Sequence, residues 1–121
     1  MKSNRRDTGR RGEDLAAAFL MERGYSILER NWRCPIGEID IIAADGNELV
    51  FIEVKSRTSD LFGAPESSVN ARKQKKVAST ALYYINQKSY HNRNARFDVV
   101  AVIFQEGAPR IELTRNAFEL A

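Results

Sequence analysis

Two apolar stretches of the sequence each carry ionisable residues of the types that hold metal ions. Asp40 lies in the run Ile39–Ile42, and Glu53 and Lys55 lie in the run Phe51–Lys55. A charged side chain inside an apolar run is costly unless it is paired or ligated. Side chains alternate along a strand, so Glu53 and Lys55 project from the same face. The sequence therefore predicts that Asp40 and Glu53 bind a small cation, with Lys55 beside it.

The chemistry expected of such a set is metal-assisted cleavage of a phosphate ester. Hard carboxylate oxygens suit Mg²⁺ or Mn²⁺ rather than Zn²⁺. The ion would neutralise charge that develops on a phosphate and would lower the pKa of a bound water. Lys55 would orient that water, accept its proton or stabilise the transition-state charge, and all three roles stay open. The alternative is a structural ion network, because the spacing alone often arises by chance.

A tight turn between the two runs decides whether their acids meet. Residues 38–44 and 48–57 are predicted strands, and the segment Asp45–Asn47 between them is strong turn chemistry. A four-residue loop sets Asp40 directly opposite Glu53, and a two-residue loop keeps both acids on one face. A plain three-residue loop separates them unless a bulge restores the parity. The hypothesis therefore requires a particular register.

The elements that position this hairpin are predicted from periodicity and capping residues. Thr8 and Asn70 cap two predicted helices that run to about Arg23 and Gln87. The second hairpin strand is apolar on both faces, which indicates a central strand covered by helices on each side. Other predicted elements are strands at 25–32, 95–104 and 110–113, a loop at 58–69 and a last helical turn at 116–120. The order α-β-β-β-α-β-β predicts an α/β fold with a central mixed β-sheet flanked by helices.

Composition indicates one globular, cytoplasmic domain. Of the 121 residues, 43% are hydrophobic and 29% are charged, the net charge is +3 and the pI is about 9.2. We expect a flexible arm at 1–7 followed by a single domain at 8–121. No apolar stretch approaches the roughly 18 residues of a membrane span, and the N-terminus lacks the apolar core of a signal peptide. Cys34 is the only cysteine, which excludes an intramolecular disulfide and a cysteine-based zinc cluster.

The start of the second predicted helix carries a cluster of cations. Cations at that end oppose the helix macrodipole, while the same helix end attracts phosphate. Contact with a DNA backbone explains both facts, and the alternative is a solvated basic face. The candidate nucleic-acid contacts are Arg72, Lys73, Gln74, Lys75 and Lys76 on this helix, together with Arg10 and Arg11 at the start of the first helix, which are otherwise solvated.

Two further acids, Glu13 and Asp98, are candidates for a functional or structural role. Glu13 is a candidate third metal ligand on the first helix, where Gly9 and Gly12 would allow a close approach of another chain segment. Its alternative role is to stabilise the helix near its N-terminus. Asp98 lies in the last long strand, and we favour a structural role for it, as the partner of a basic group or of a backbone N–H.

A set of short motifs between Gly9 and Phe118 resembles the bacterial YraN family. The motifs are Gly9-x-x-Gly12-Glu13, Asn31-Trp32-Arg33, Gly37–Ile42, Phe51–Arg57, Lys73-Gln74, Arg96–Val100 and Asn116-Ala117-Phe118. That family resembles the PD-(D/E)XK nucleases, particularly the archaeal-type Holliday junction resolvases. The resemblance implies a restriction-endonuclease-like core, with metal-binding acids at Glu13, Asp40 and Glu53 and the signature lysine at Lys55. Ile39-Asp40 stands where the motif name has Pro-Asp, which leaves the ligand intact.

The expected activity is Mg²⁺- or Mn²⁺-dependent hydrolysis of DNA phosphodiester bonds, with branched or junction DNA as a candidate substrate. Junction cleavage needs two matched cuts, so it would call for a symmetric homodimer. One alternative is a nucleic-acid-binding module that keeps the fold but does not cut. Another is an adaptor whose basic helix contacts an acidic protein. The intact acid-lysine set favours the nuclease, and the basic cluster favours either nucleic-acid function over the adaptor.

Overall fold

The helices and strands of the computed structural model follow the predicted order. The structure describes residues 5–58 and 70–119, so residues 1–4 of the predicted arm and nearly all of the predicted 58–69 loop lie outside the described residues. The elements are α1 (Arg5–Glu22), β1 (Ser26–Arg33), β2 (Glu38–Asp45), β3 (Glu48–Arg57), α2 (Ala71–Lys88), β4 (Ala95–Ile103) and β5 (Arg110–Thr114).

The five strands form one mixed sheet with a helix on each face, as predicted. The strand order is β1-β2-β3-β4-β5, with β3 and β4 parallel and the other neighbours antiparallel. A parallel pair needs a crossover connection, which here includes α2. One apolar cluster packs α2 against the sheet around Phe51 and Phe97, and the other packs α1 against Ile52 and Val100. The central strand β3 is therefore covered on both faces.

The β2–β3 hairpin has the register that the acid-pair hypothesis requires. Asp45 pairs with Glu48 across a two-residue turn, and the ladder continues to the pair Ile41 and Ile52. The next residues along the two strands are Asp40 and Glu53. The ladder ends there, although β2 still pairs with β1 and β3 still pairs with β4. We call this point, just beyond the Ile41–Ile52 pair, the fork.

The first helix starts earlier than predicted. Thr8 was expected to cap it, but α1 already begins at Arg5, so residues 5–7 of the predicted arm are helical. Arginine is a good helix former, which favours extending the helix through this polar segment. The helix ends at Glu22, close to the predicted Arg23, and Gly24 follows with a φ of 90°. Glycine adopts that conformation at no steric cost.

The second helix agrees with its predicted ends but not with its whole predicted apolar stripe. Asn70 is the N-cap, and its side chain accepts a hydrogen bond from the Lys73 backbone N–H at 2.9 Å. Val77 and Ala81 are buried as expected, whereas Leu82 is 55% exposed. Tyr84 is buried instead, because its ring packs edge-on against Trp32 and Phe51.

The predicted helical turn near the C-terminus is wrong for residues 116–119. The backbone N–H of Asn116 donates to Asp98, and that of Ala117 donates to the carbonyl of Phe97. These bonds tie the segment to β4, and Phe118 stacks on Phe97 with 4.8 Å between ring centroids. Asn116 also has a left-handed φ of 51°, so the chain follows the sheet instead of starting a helix. Neither helix within 5–58 and 70–119 combines the length and apolar character of a membrane span.

A buried ion network around Arg96 holds the end of the hairpin distant from the fork. Asp98 is fully buried and accepts from Arg96 Nε at 2.9 Å and from the Tyr25 hydroxyl at 3.0 Å. Arg96 also reaches Asp45 at 3.0 Å and Glu48 at 2.7 Å. Asp98 thus has the structural role that the sequence favours, with both a basic partner and a backbone N–H.

Candidate active site

The N-terminal half of α1 and the first turn of α2 meet the second half of β3. A Cβ atom on Gly12 of α1 would lie 1.8 Å from the Ser56 side-chain oxygen, so this contact admits only glycine without a shift. Gly9 has nothing within 4 Å of its Cβ position, so the close approach predicted for it is not found. On the other face of the sheet, Lys73 of α2 contacts Glu53. The two helices therefore pack on opposite faces of β3 close to the fork, and α2 brings a charged side chain to it.

Asp40 lies at the fork with its carboxylate directed at the neighbouring strand. Its Oδ2 accepts a hydrogen bond from the Val54 backbone N–H at 2.8 Å. Ile42, two residues further along β2, packs on the α2 face, which also carries Glu53 beside Lys73. Ile39 packs on the α2 face while Ile41 packs on the α1 face, so the alternation breaks at Asp40. This break directs the carboxylate along the sheet rather than away from it.

Burial is the main reason that Asp40 holds its proton unusually well. Burial and then the charge of Glu53 raise its pKa to about 7, and the charge of Glu13 adds to this effect. The Val54 N–H and the charge of Lys73 act in the opposite direction. A cation close to both acids would relieve the part of this shift that comes from their mutual repulsion.

Glu53 is a buried acid with a cationic partner. It is 5% exposed, and its Oε2 lies 3.1 Å from Lys73 Nζ. A buried carboxylate is tolerated when such a partner compensates its charge. Lys73 was predicted only as a DNA contact, whereas here it belongs to the acid-lysine set.

Lys55 is half-buried two residues beyond Glu53 on the same strand. Burial and the charge of Lys73 lower the pKa of its ammonium, and Arg57 adds to this effect. The charges of Glu53 and Asp40 act in the opposite direction. Lys55 is thus within electrostatic reach of both acids, and its lowered pKa suits a group that exchanges or positions protons.

Glu13 reaches the site through its charge, while its carboxylate contacts other groups. Its Oε1 accepts from Asn31 Nδ2 at 2.7 Å and from Arg30 at 3.2 Å. Across 5–58 and 70–119, no group of three acid, histidine or cysteine side chains is close enough together to hold a metal ion. The three predicted ligands are therefore not gathered around one point, and Asp40 and Glu53 are the two acids that share the fork.

Asn31 and Arg30 were not assigned a function from the sequence. Asn31 has a φ of 52°, a left-handed conformation that asparagine tolerates better than most residues. That conformation accompanies its hydrogen bond to Glu13. The Asn31-Trp32-Arg33 motif was the one available signal, and nothing local in it indicated an acid 18 residues away as the partner.

The predicted nucleic-acid contacts divide between the two helices. Arg10 and Arg11 lie on α1, and Arg11 places its guanidinium 4.9 Å from the centre of the Phe104 ring. The α2 group comprises Arg72, Lys73, Gln74, Lys75 and Lys76. Its four cations are exposed, whereas Gln74 is half-buried. Of these residues, Lys73 is the one whose charge acts on Asp40 and pairs with Glu53.

The donor set at the fork fits Mg²⁺ or Mn²⁺. Asp40 and Glu53 supply hard carboxylate oxygens and no sulfur or imidazole. Magnesium is commonly held by one or two protein carboxylates, with waters and substrate phosphate completing its shell. The mutual repulsion of the two acids also favours a cation. Such an ion would supply charge neutralisation at a phosphate and a more acidic bound water.

Comparison with known proteins identifies relatives over nearly the whole chain. A UPF0102 protein of Syntrophus aciditrophicus is 54% identical over 114 residues, covering 94% of this chain and 90% of the relative. One of Moorella thermoacetica is 49% identical over 120 residues, covering 98% and 100%. A solved structure titled as a repair endonuclease from Pyrococcus abyssi shares 21% identity at a TM-score of 0.42. It matches 88% of this chain, which spans only 41% of that chain's length.

The family assignment rests on a sequence model as well as on these relatives. The model described as "Uncharacterised protein family UPF0102" matches residues 12–102, a range that contains Glu13, Asp40, Glu53 and Lys55. The resemblance to the YraN family is thereby confirmed: the chain belongs to the UPF0102 (YraN) family.

Proposed function

We propose that this protein is a cytoplasmic, Mg²⁺- or Mn²⁺-dependent endonuclease of the PD-(D/E)XK type that hydrolyses DNA phosphodiester bonds. Branched DNA is the substrate class we would test first, and a homodimer would then supply the two cuts. The observation that carries the proposal is the fork, where Asp40 and Glu53 share one end of a paired hairpin with Lys55. Asp40 is already protonated more readily there because of burial and the charge of Glu53.

The roles of the side chains follow from their positions. Asp40 and Glu53 hold the cation, and the Val54 N–H keeps the Asp40 carboxylate oriented at 2.8 Å. Glu13 adds negative charge from α1 and would become a third ligand only on leaving Arg30 and Asn31. Lys55 contacts the attacking water or the phosphate, since a lowered ammonium pKa and a positive charge suit either task. The exposed cations of α1 and α2 other than Lys73 bind the DNA backbone.

Binding without cleavage is the second candidate function. The Lys73–Glu53 ion pair at 3.1 Å favours it, because Lys73 neutralises the acid that a metal ion would need. The two candidates share the fold and the basic helix ends. They differ in whether a divalent ion displaces the lysine and whether the backbone is then cut.

The decisive experiment is a cleavage panel. The protein is incubated with duplex, single-stranded, flapped and four-way DNA, in Mg²⁺ and in Mn²⁺. We expect Glu53→Ala and Lys55→Met to lower the cleavage rate by about 100-fold or more, the usual scale for a group that acts on the reacting atoms. Lys88→Gln, at the far end of α2, is the matched control and should cut at the wild-type rate.

Three results would count against the nuclease. Cleavage that persists in Glu53→Ala would indicate a contaminant or another site. DNA binding with no cleavage of any substrate in either metal would support the binding module instead. DNA affinity that does not fall as salt rises would argue against both nucleic-acid functions, because phosphate contacts release counterions. Calorimetric titration of Mg²⁺ into Asp40→Ala, where we expect no binding, tests the ligand assignment separately.

A further inference from the structure

Lys73 is the residue whose position fits its predicted role least well. A backbone-binding lysine would extend into solvent, yet Lys73 Nζ lies 3.1 Å from the buried carboxylate of Glu53. The lysine side chain itself stays 47% exposed. Its charge also lowers the pKa of Asp40 and of Lys55. Lys73 is therefore a half-exposed cation that is ion-paired with a buried acid, so the lysine side chain is freer to change position than the glutamate.

A groove of about 490 Å³ opens beside this ion pair. It lies between the β1–β2 connection and α2, and we call it the Glu53 groove. Its wall on one side is close-packed, because a Cβ on Gly37 would lie 2.8 Å from Thr80 Oγ1 and 3.4 Å from Lys76 Cε. The charged residues that line it are Arg33, Glu38, Glu53, Lys73 and Lys76.

The charge balance of the Glu53 groove depends on what Glu53 binds. Arg33 is paired with Glu38 at 2.5 Å, and Lys73 is paired with Glu53. Three cations thus face two carboxylates, and Lys76 supplies the excess charge. If a divalent ion takes Glu53, one carboxylate is satisfied and Lys73 loses its partner. The groove then carries a much stronger positive charge next to the ion.

We propose that the Glu53 groove is a subsite for a second phosphate of the DNA strand, and that Lys73 transfers from Glu53 to this phosphate when a divalent ion binds the acids. The inference rests on the proposed function, because it needs a metal at Asp40 and Glu53. The physical reason is competition: an ammonium and a divalent cation cannot both lie against one buried carboxylate without repelling each other. The half-exposed Lys73 side chain then leaves Glu53, and a DNA phosphate bound in the groove would lie within reach of its ammonium group.

Two variants of α2 separate this role from that of an ordinary surface lysine. Lys73→Gln removes the charge but leaves an amide that can donate to Glu53, which protects folding. Lys75→Gln removes the same charge from the same helix at an exposed position that does not line the groove. Thermal melting first checks that both variants fold.

Metal affinity is the first readout, and it requires no DNA. Calorimetry with Mg²⁺ should show about 10-fold tighter binding to Lys73→Gln than to wild type, because the competing cation is gone. Lys75→Gln should bind Mg²⁺ as wild type does. Equal Mg²⁺ affinity of Lys73→Gln and Lys75→Gln would overturn the inference. Absence of Mg²⁺ binding in both wild type and Lys73→Gln would also overturn it.

The salt dependence of DNA binding is the second readout. Affinity is measured across a salt series, once in EDTA and once with Ca²⁺, which also takes oxygen ligands. Lys73→Gln should reduce the slope of log affinity against log salt by about 1 with Ca²⁺ and leave it unchanged in EDTA. Lys75→Gln should change the salt slope by the same amount in EDTA and in Ca²⁺. A reduction by Lys73→Gln that is equal in EDTA and Ca²⁺ would overturn the transfer.

The outcomes also distinguish the inference from the nuclease proposal. If Lys73→Gln binds Mg²⁺ more tightly but the wild type cleaves no DNA, displacement of Lys73 by the metal is supported and the nuclease proposal is rejected. If the wild type cleaves DNA but Lys73→Gln has the metal affinity and salt slope of the wild type, the nuclease proposal is supported and the phosphate subsite is rejected.

Discussion

Asp40 accepts a hydrogen bond from the Val54 backbone N–H at 2.8 Å, across the fork where the β2–β3 ladder ends. The bond replaces a missing main-chain bond of the sheet with a side-chain one. The bond thereby holds the Asp40 carboxylate at the fork, close to Glu53. The same position explains why the acid is costly to ionise, since it is buried and close to another negative charge.

Replacing Asp40 by asparagine should stabilise the metal-free protein at pH 8. The amide oxygen can still accept from Val54, while the buried negative charge is removed. We expect a gain of about 1–3 kcal/mol in the free energy of unfolding, from the size of the pKa shift. Urea denaturation in EDTA measures it.

The size of this stabilisation depends on pH. The pKa of Asp40 is raised from 3.8 to about 7 in the folded protein, so folding favours the protonated form. The wild type is therefore penalised increasingly as pH rises from about 4 to about 7, and the penalty is constant above that. The gain from Asp40→Asn should vanish toward pH 4, and a loss of stability at pH 8 would contradict the electrostatic account.

Mg²⁺ affinity should rise with pH through the titration of Asp40. Below a pKa of about 7 a proton competes with the ion for this carboxylate. We expect the association constant to increase about tenfold per pH unit up to about pH 7 and then to level off. Calorimetry at several pH values tests this prediction. An affinity that is constant between pH 5 and pH 8 would show that Asp40 is not a ligand.

Gly12→Ala should disturb the contact between α1 and β3. The new Cβ would lie 1.8 Å from Ser56 Oγ and 3.0 Å from its Cβ, so the Ser56 hydroxyl must rotate away and the two elements must separate slightly. We expect a loss of about 1–3 kcal/mol in stability, the usual cost of overpacking. Chemical denaturation measures the loss, and Ser56→Gly in the same chain should recover part of it.

Gly9→Ala is the matched control for that variant. It lies in the same helix, three residues earlier, with nothing within 4 Å of its Cβ position. Alanine is a better helix former than glycine by about 0.5–1 kcal/mol, so this variant should be as stable as wild type or slightly more stable. Equal effects at the two positions would contradict the close approach at Gly12.

Arg96→Met should destabilise the fold strongly. Asp98 is fully buried, and its contact with Arg96 Nε at 2.9 Å is its compensating charge. Removing one partner of a buried ion pair costs about 3–5 kcal/mol. Urea denaturation measures the loss. Glu112→Gln breaks an exposed pair with Arg110 and should change stability by less than about 1 kcal/mol. A small effect of Arg96→Met would show that the network is dispensable.

Elements whose signals are local were predictable from the residues. The turn at Asp45–Asn47 and the apolar strand β3 carry their own turn chemistry and periodicity, and Asn70 is a cap recognisable by its type. The helical turn expected near Asn116 is absent because Asn116 adopts a left-handed φ of 51° and its backbone N–H is held by Asp98, 18 residues away. The apolar stripe of α2 shifted from Leu82 to Tyr84, because an aromatic cluster with Trp32 and Phe51 buries the larger ring.

The sequence by itself determined which residues are candidates for chemistry and that a hairpin would bring two of them near each other. Hydrophobic alternation and turn type act over a few residues, so they can be read without a fold. Only the tertiary structure decided which partner each charge takes: Lys73 contacts Glu53, Glu13 contacts Asn31, and Asp40 contacts Val54. These pairs are 20, 18 and 14 residues apart. Many side chains of the right charge compete for each acid, and only the packing of both helices against β3 selects among them.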